Sequence, residues 1–216
     1  MKNNNSAAAA VTESIMNAIT WKHTGKMKGM ISLSTSVLLN KYCQERQKNP
    51  DSVCSHCYAQ HMAGKLYKGL KEKLAKNTDL LTREVIPVEW WPILNTLFFR
   101  LEAFGDLNNV IQLQNYFNFA KRNPYTTFTL WTKNTFILFQ AEKAGAQKPK
   151  NIIIIESSPF VNVQVKKTHK WVDKTFTVLD KSHKDDKRIN CGARHCLTCL
   201  KCYKKRTTSE IFELLK

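Results

Sequence analysis

Glycine is the first scarcity, with 7 in 216 residues, well under the usual share of roughly 7%. Neither a Walker phosphate loop nor a dinucleotide fingerprint occurs, and both need glycines at fixed spacing. Long apolar runs are missing too. No run of large apolar residues exceeds four, as in Ile152 to Ile155, whereas a membrane helix needs roughly 20. A chain that spans or enters a membrane is therefore not expected. The first 20 residues hold an alanine run but no leucine-rich stretch leading to a cleavage site, so the expected location is the cytoplasm. No serine, histidine and aspartate form a nucleophile arrangement with local support. Acidic residues are half as frequent as basic ones, 17 against 34, for a formal net charge of +17.

The charge is concentrated. Residues 22–76 carry a net +8 and residues 166–206 a net +9, and the remainder sums to zero. All seven cysteines, Cys43, Cys54, Cys57, Cys191, Cys196, Cys199 and Cys202, lie in the same two segments. A concentrated positive field attracts polyanions, so nucleic acid is a candidate partner for both segments, with Lys201, Lys204, Lys205 and Arg206 as candidate phosphate contacts. The alternative is that the lysines neutralise an anionic centre bound by the thiols.

The middle of the chain gives the fold signal. Apolar stretches at 97–103, 127–131, 151–156 and 175–179 read as strands, and 110–121 and 136–144 read as helices, the second closed by Gly145. A β-compatible stretch at 30–39 precedes the first cysteines, and 67–81 reads as a basic helix with Leu70, Leu74 and Leu81 on one side. Strands alternating with helices of this length require a parallel sheet, covered on both faces when its strands are uniformly apolar. The expected fold is α/β, a partial βα barrel or open parallel sheet with cysteine-rich loops at the carboxyl ends of the strands. Residues 1–20 read as a loosely attached, flexible or helical leader with Ser6 at a helix start, and 21–216 as a single domain ending in a cysteine-rich segment, 181–206.

Seven clustered thiols in a cytosolic chain point to metal more than to disulfides. Cys191-x4-Cys196-x2-Cys199-x2-Cys202 lacks the long spacer that separates the two knuckles of a tetrahedral zinc site. A Cys-x2-Cys-x2-Cys run suits successive corners of an iron–sulfur cube. The N-terminal group, Cys43, Cys54 and Cys57, has three thiols, which on a four-iron cluster leave one iron open, by the logic that leaves a catalytic zinc an open position. One open and one closed cluster would use all seven. A rival partition puts Cys54 and Cys57 with two C-terminal cysteines around one zinc or cluster. His56, His61, His183 and His195 are further candidate ligands, each more simply explained as a solvated or hydrogen-bonded bystander.

The stretch from Met27 to Leu33, then Cys43, Cys54-Ser55-His56-Cys57-Tyr58-Ala59, the run from Phe99 to Gly105-Asp106, the run from Phe117 to Pro124, that from Phe128 to Lys133 and the final cysteines together resemble a phage protein family known as gene product eighty-eight. The resemblance covers roughly residues 25–203 and would put the protein in a host cell's cytoplasm. That family in turn looks like a shortened relative of the radical S-adenosylmethionine enzymes. The likeness implies that Cys43, Cys54 and Cys57 ligate a four-iron cluster, that Tyr58 is its aromatic neighbour, that Gly105 and Asp106 belong to the cofactor-binding strand end, and that S-adenosylmethionine binds the open iron. Two departures stand out: the first cysteine gap is ten residues where that superfamily has three, and its Gly-Gly-Glu strand end is replaced by Phe104-Gly105-Asp106.

Glu102 and Asp106 are the candidate acid and base, each a carboxylate at a strand end. Against this, Asp106 would equally pair with Arg100 or cap the next helix. Lys133, Asn134, Ser157 and Ser158 end strands and are explained by loop polarity, and Trp90 and Trp91 read as core.

Overall fold

The computed structural model describes residues 2–215. Six strands form one sheet: β1 Ile31–Leu33, β2 Phe98–Leu101, β3 Thr127–Thr132, β4 Ile152–Ser157, β5 Val172–Leu179 and β6 Glu210–Leu214. Every pairing is parallel and spatial order follows chain order. The sheet is open, because β1 and β6 do not pair. The helices are α1 Lys2–Ala18, α2 Lys41–Gln47, α3 Tyr58–His61, α4 Lys68–Thr82, α5 Val110–Arg122, α6 Phe136–Lys143 and α7 Cys196–Cys199. None of the described helices is long and apolar enough to cross a membrane.

Side chains alternate across a strand, and here the two faces carry different company. One face presents Leu33, Phe99, Leu101, Phe128, Leu130, Ile152 and Ile154 to a core completed by α1, α4, α5 and α6. The other, which we call the inner face, holds Ile153, Ile155, Phe176, Val178 and Ile211, with Trp131, Cys191 and Cys202 packed against them. The helices thus cover one face and the cysteine-rich segment the other. The two sheet edges are bridged without strand pairing: Lys26, ahead of β1, reaches Glu213 on β6 at 2.6 Å.

The leader, read from sequence as flexible or helical, is a 17-residue helix, and its attachment is not loose. Its Ile15 and Ala18, followed by Ile19, are buried in the main core, and Ser6 lies inside the helix rather than at its start. The alanine run hid the apolar residues that anchor it. The sixth strand was not anticipated, since its five residues include two glutamates. Of the tryptophan pair, Trp91 is core, stacked on Phe119 at 4.7 Å.

Candidate metal centre

The loop after β1 carries the first thiols, and its hydrogen bonds tie it to the carboxyl ends of the neighbouring strands. Asn40 caps α2 by accepting from the Cys43 backbone N–H at 3.1 Å, and its amide donates to the carbonyls of Asp106 (2.9 Å) and Leu107 (3.3 Å). Ser52 accepts from the Cys54 N–H at 3.1 Å and donates to the Pro159 carbonyl at 2.9 Å, beyond the end of β4. Tyr58 donates its hydroxyl to the Ala103 carbonyl and sets its ring against Phe104. Cys43 and Cys57 pack in one small cluster with Val37, Ala59 and Phe104. Burial pushes the Cys43 thiol well above its usual range, helped by the nearby Asp106 and Cys54 and opposed by Lys133. Burial raises Cys54 as well, again against Lys133. Cys43, Cys54 and Cys57, with Tyr58, Asp106 and Lys133, therefore form one neighbourhood at the carboxyl ends of β2 and β3.

Asp106 is fully engaged there. It accepts from the Thr132 hydroxyl (2.5 Å), the Lys133 N–H (2.8 Å) and the Leu107 N–H (2.7 Å), which fastens β2 to β3 beneath the thiols. It neither pairs with Arg100 nor caps α5; Asn109 is the cap. Burial pushes its carboxyl up, while Lys133 and these hydrogen bonds pull it down. Glu102 has a different setting. It is 2% exposed, at a left-handed backbone position with φ of 55°, a strained conformation for a non-glycine residue. Its carboxylate accepts from Thr35, Gln112 and Tyr116. Burial lifts its pKa to about 7, although the Tyr116 and Thr35 hydrogen bonds hold it down. Gly105 is required by this carboxylate: a Cβ there would run into Glu102 and stand 2.8 Å from the Thr35 carbonyl oxygen.

The four C-terminal cysteines come together separately. Cys191, Cys196, Cys199 and Cys202, with Lys26, Ala193, Leu200, Lys201 and Tyr203, line one cavity of about 20 Å³. Asn190 and Cys191 donate to the Phe212 carbonyl, fixing the start of the segment to β6. The chain turns once through α7 and is reversed by Leu200, whose φ of 52° is again left-handed. Lys26 closes one wall, donating to the Cys191 sulfur at 3.2 Å and to Glu213. Burial opposes the Lys26 charge, but Glu213 and Cys191 hold its pKa above normal. A Cβ on Gly29, which has φ of 82°, would meet Leu197 at 2.7 Å, so the chain ahead of β1 packs directly on α7. Burial pushes Cys202 up to about 12, with Arg100 opposing it.

Of the inner-face residues beneath this segment, the sequence singled out Arg100, but only as a partner for Asp106. Arg100 on β2 is half-buried, with its guanidinium 4.4 Å over the Trp131 ring. Its Nε and the Trp131 Nε1 are sealed from solvent without a hydrogen-bond partner, and the Thr129 hydroxyl lies beside that of Tyr203. Lys174 on β5 is 1% exposed and holds the Thr208 carbonyl at 2.5 Å. None of the four candidate histidines lines the C-terminal cavity. His56 and His61 are exposed, His183 bonds Asp180 at 3.0 Å, and His195 has an unpartnered buried Nδ1.

The seven thiols thus fall into a group of three and a group of four, and the four share their cavity without Cys54 or Cys57. Among the described residues no three Cys, His, Asp or Glu side chains are drawn closely enough to grip a single metal ion. A further cavity, of about 430 Å³, lies at the amino ends of β4 and β5, lined by Lys148, Lys150, Lys170, Lys205 and Trp171 among others. No protein-family model, curated protein or solved structure matches the chain.

Proposed function

We propose that the protein binds iron–sulfur clusters: a closed one held by Cys191, Cys196, Cys199 and Cys202, and an open one held by Cys43, Cys54 and Cys57. The observation that carries this reading is the shared cavity of the four C-terminal thiols, walled by Lys26 and with Arg100 near enough to act on Cys202 and Cys196. Buried thiols resist ionisation, and cations beside them offset that cost only when thiolates form, as they do on metal ligation. The donor set and its electrostatics therefore fit a thiolate-ligated centre, and the Cys-x2-Cys-x2-Cys spacing favours iron and sulfide over zinc.

When bound, such clusters supply one-electron chemistry. Around the three-cysteine group, Tyr58 and Phe104 shield one side, Asp106 holds the ends of β2 and β3 together, and Lys133 supplies positive charge. An iron without a protein ligand would take S-adenosylmethionine, as in the radical enzymes that the sequence resembles. Glu102 is spent on Thr35, Gln112 and Tyr116 and Asp106 on β3, so both carboxylates serve here as supports of the strand end.

Anaerobic purification tests the reading. Iron and acid-labile sulfide should be present with absorption at about 400 nm, and Cys199→Ser should lose the share of iron bound by the C-terminal set. A colourless protein with zinc, or unchanged metal in that variant, removes the cluster assignment. Formation of 5′-deoxyadenosine by the reduced, loaded protein tests the S-adenosylmethionine step, and its absence leaves a cluster protein without radical chemistry.

A second reading, binding of nucleic-acid phosphates, is favoured by the lysine-lined cavity at the opposite end of the sheet. Lys204, Lys205 and Arg206 are exposed beside it, whereas Lys201 is occupied by the Asn190 carbonyl at 2.6 Å. Such binding weakens steeply with salt through counterion release; salt-insensitive binding would dismiss it.

A further inference from the structure

Among the described residues the inner face holds one buried positive charge, that of Arg100, for which no carboxylate stands by. Among the described residues Arg100 makes no ion pair and no hydrogen bond, and it stands in register with Thr129 on β3. Two hydrogen-bonding groups on these two adjacent strands, Arg100 Nε and Trp131 Nε1, are thus left without partners. Each such orphan costs about 1–3 kcal/mol, which the stacking on Trp131, worth about 2 kcal/mol or more when desolvated, offsets only in part. Groups close enough to interact with the Arg100 charge include Tyr203, Tyr58, Cys202 and Cys196, and His23 on the other side. Lys174, a second buried cation of this face, senses both Cys202 and Asp173 and is already bonded to the Thr208 carbonyl. An anion held by the segment from Cys196 to Tyr203 would supply the charge that Arg100 lacks.

We propose that Arg100, held over the Trp131 ring, is the positioning cation of the C-terminal four-cysteine centre, balancing its negative charge and keeping its reduction potential high. The proposal rests on the cluster reading above. Reduction adds a negative charge to the centre, and a fixed cation favours that form. Trp131 keeps the guanidinium from swinging out to solvent. Arg100 would then govern electron affinity without ligating iron.

The test combines a potential with a four-way stability comparison of wild type and Arg100→Met, each iron-loaded and chelator-stripped. In Arg100→Met the loaded centre should be harder to reduce by at least tenfold, about 59 mV for one electron, and Arg100→Lys should recover most of the difference. Loaded Arg100→Met should melt below loaded wild type. Stripped Arg100→Met should melt at or above stripped wild type, because removing both partners of a buried charge pair is neutral or stabilising whereas removing one is not. An Arg100→Met protein that keeps its iron with an unshifted potential overturns the proposal and leaves the cluster reading standing. So does a variant less stable than wild type in both states, or one that folds in neither, since Arg100 is then structural. Wild type without iron removes the cluster reading, and the proposal with it.

Discussion

At the scale of single residues, the strand end after β2 is decided by one carboxylate and one missing methyl group. Glu102 occupies a left-handed position and fills the space against Gly105. In Gly105→Ala the new Cβ must displace the Thr35 backbone or the Glu102 carboxylate, so we expect a loss of about 1–3 kcal/mol, read as a lower midpoint in urea. Glu102 also makes stability depend on pH. Its pKa is raised by burial from an ordinary 4.5 to about 7, so the folded state prefers the protonated form. Its contribution is whole below pH 4.5 and lost as pH rises through about 7, a loss of roughly 3 kcal/mol. Urea titrations between pH 4.5 and 8 should show wild-type stability falling across that window, with the slope largely absent in Glu102→Gln. An equal slope in both would assign the dependence to another group.

At the scale of elements, short helices and turns place the thiols. The seven-residue α2 is too short to stand alone, and Asn40 supplies both its cap and its link to the end of β2. Asn40→Ala removes the cap, worth about 1 kcal/mol, and leaves the Asp106 and Leu107 carbonyls without that donor. We expect the protein to remain folded but to bind less iron at the Cys43 group, while the C-terminal set keeps its own; iron per chain in Asn40→Ala set against Asn40→Ala combined with Cys199→Ser separates the two. On the C-terminal side the left-handed Leu200 does the work of a glycine. It ends α7 and brings Cys202 to the cavity wall shared with Cys199.

At the scale of the whole molecule, the sheet has a helical cover on one face and on the other a segment with little regular structure. That inner cover buries few large apolar groups of its own, relying on Tyr203 and on partly buried cysteines. Each large side chain fully buried contributes about 1.5–3 kcal/mol, and residues 181–206 have few to offer, so a bound centre would be the main tie holding them down. Chelation should accordingly loosen the backbone so that trypsin cuts at the already exposed Lys184, Lys187, Arg188 and Arg194 long before the helical layer is cut, with fragments mapped by mass. Equal cleavage with and without chelator would show that the segment is held by the polypeptide alone.

Much of this architecture is legible in the sequence. The α/β class and the positions of β2 to β5, α4, α5 and α6 follow from apolar periodicity, because strands buried on both faces read as continuous runs. The grouping of thiols follows from spacing, because cysteines three apart on a turning chain stay neighbours. Other features depend on long-range contact. That α1 is part of the core rests on Ile15 and Ile19 meeting the sheet, which an alanine-rich string does not announce. β6 pairs only because β5 offers it an edge. The roles of Lys26, Arg100 and Lys174 arise where residues far apart in the chain face one another, and there charge is settled by what lies across the cavity. Local composition fixes which elements form. Which of their charges are left for a ligand to balance is decided only by packing.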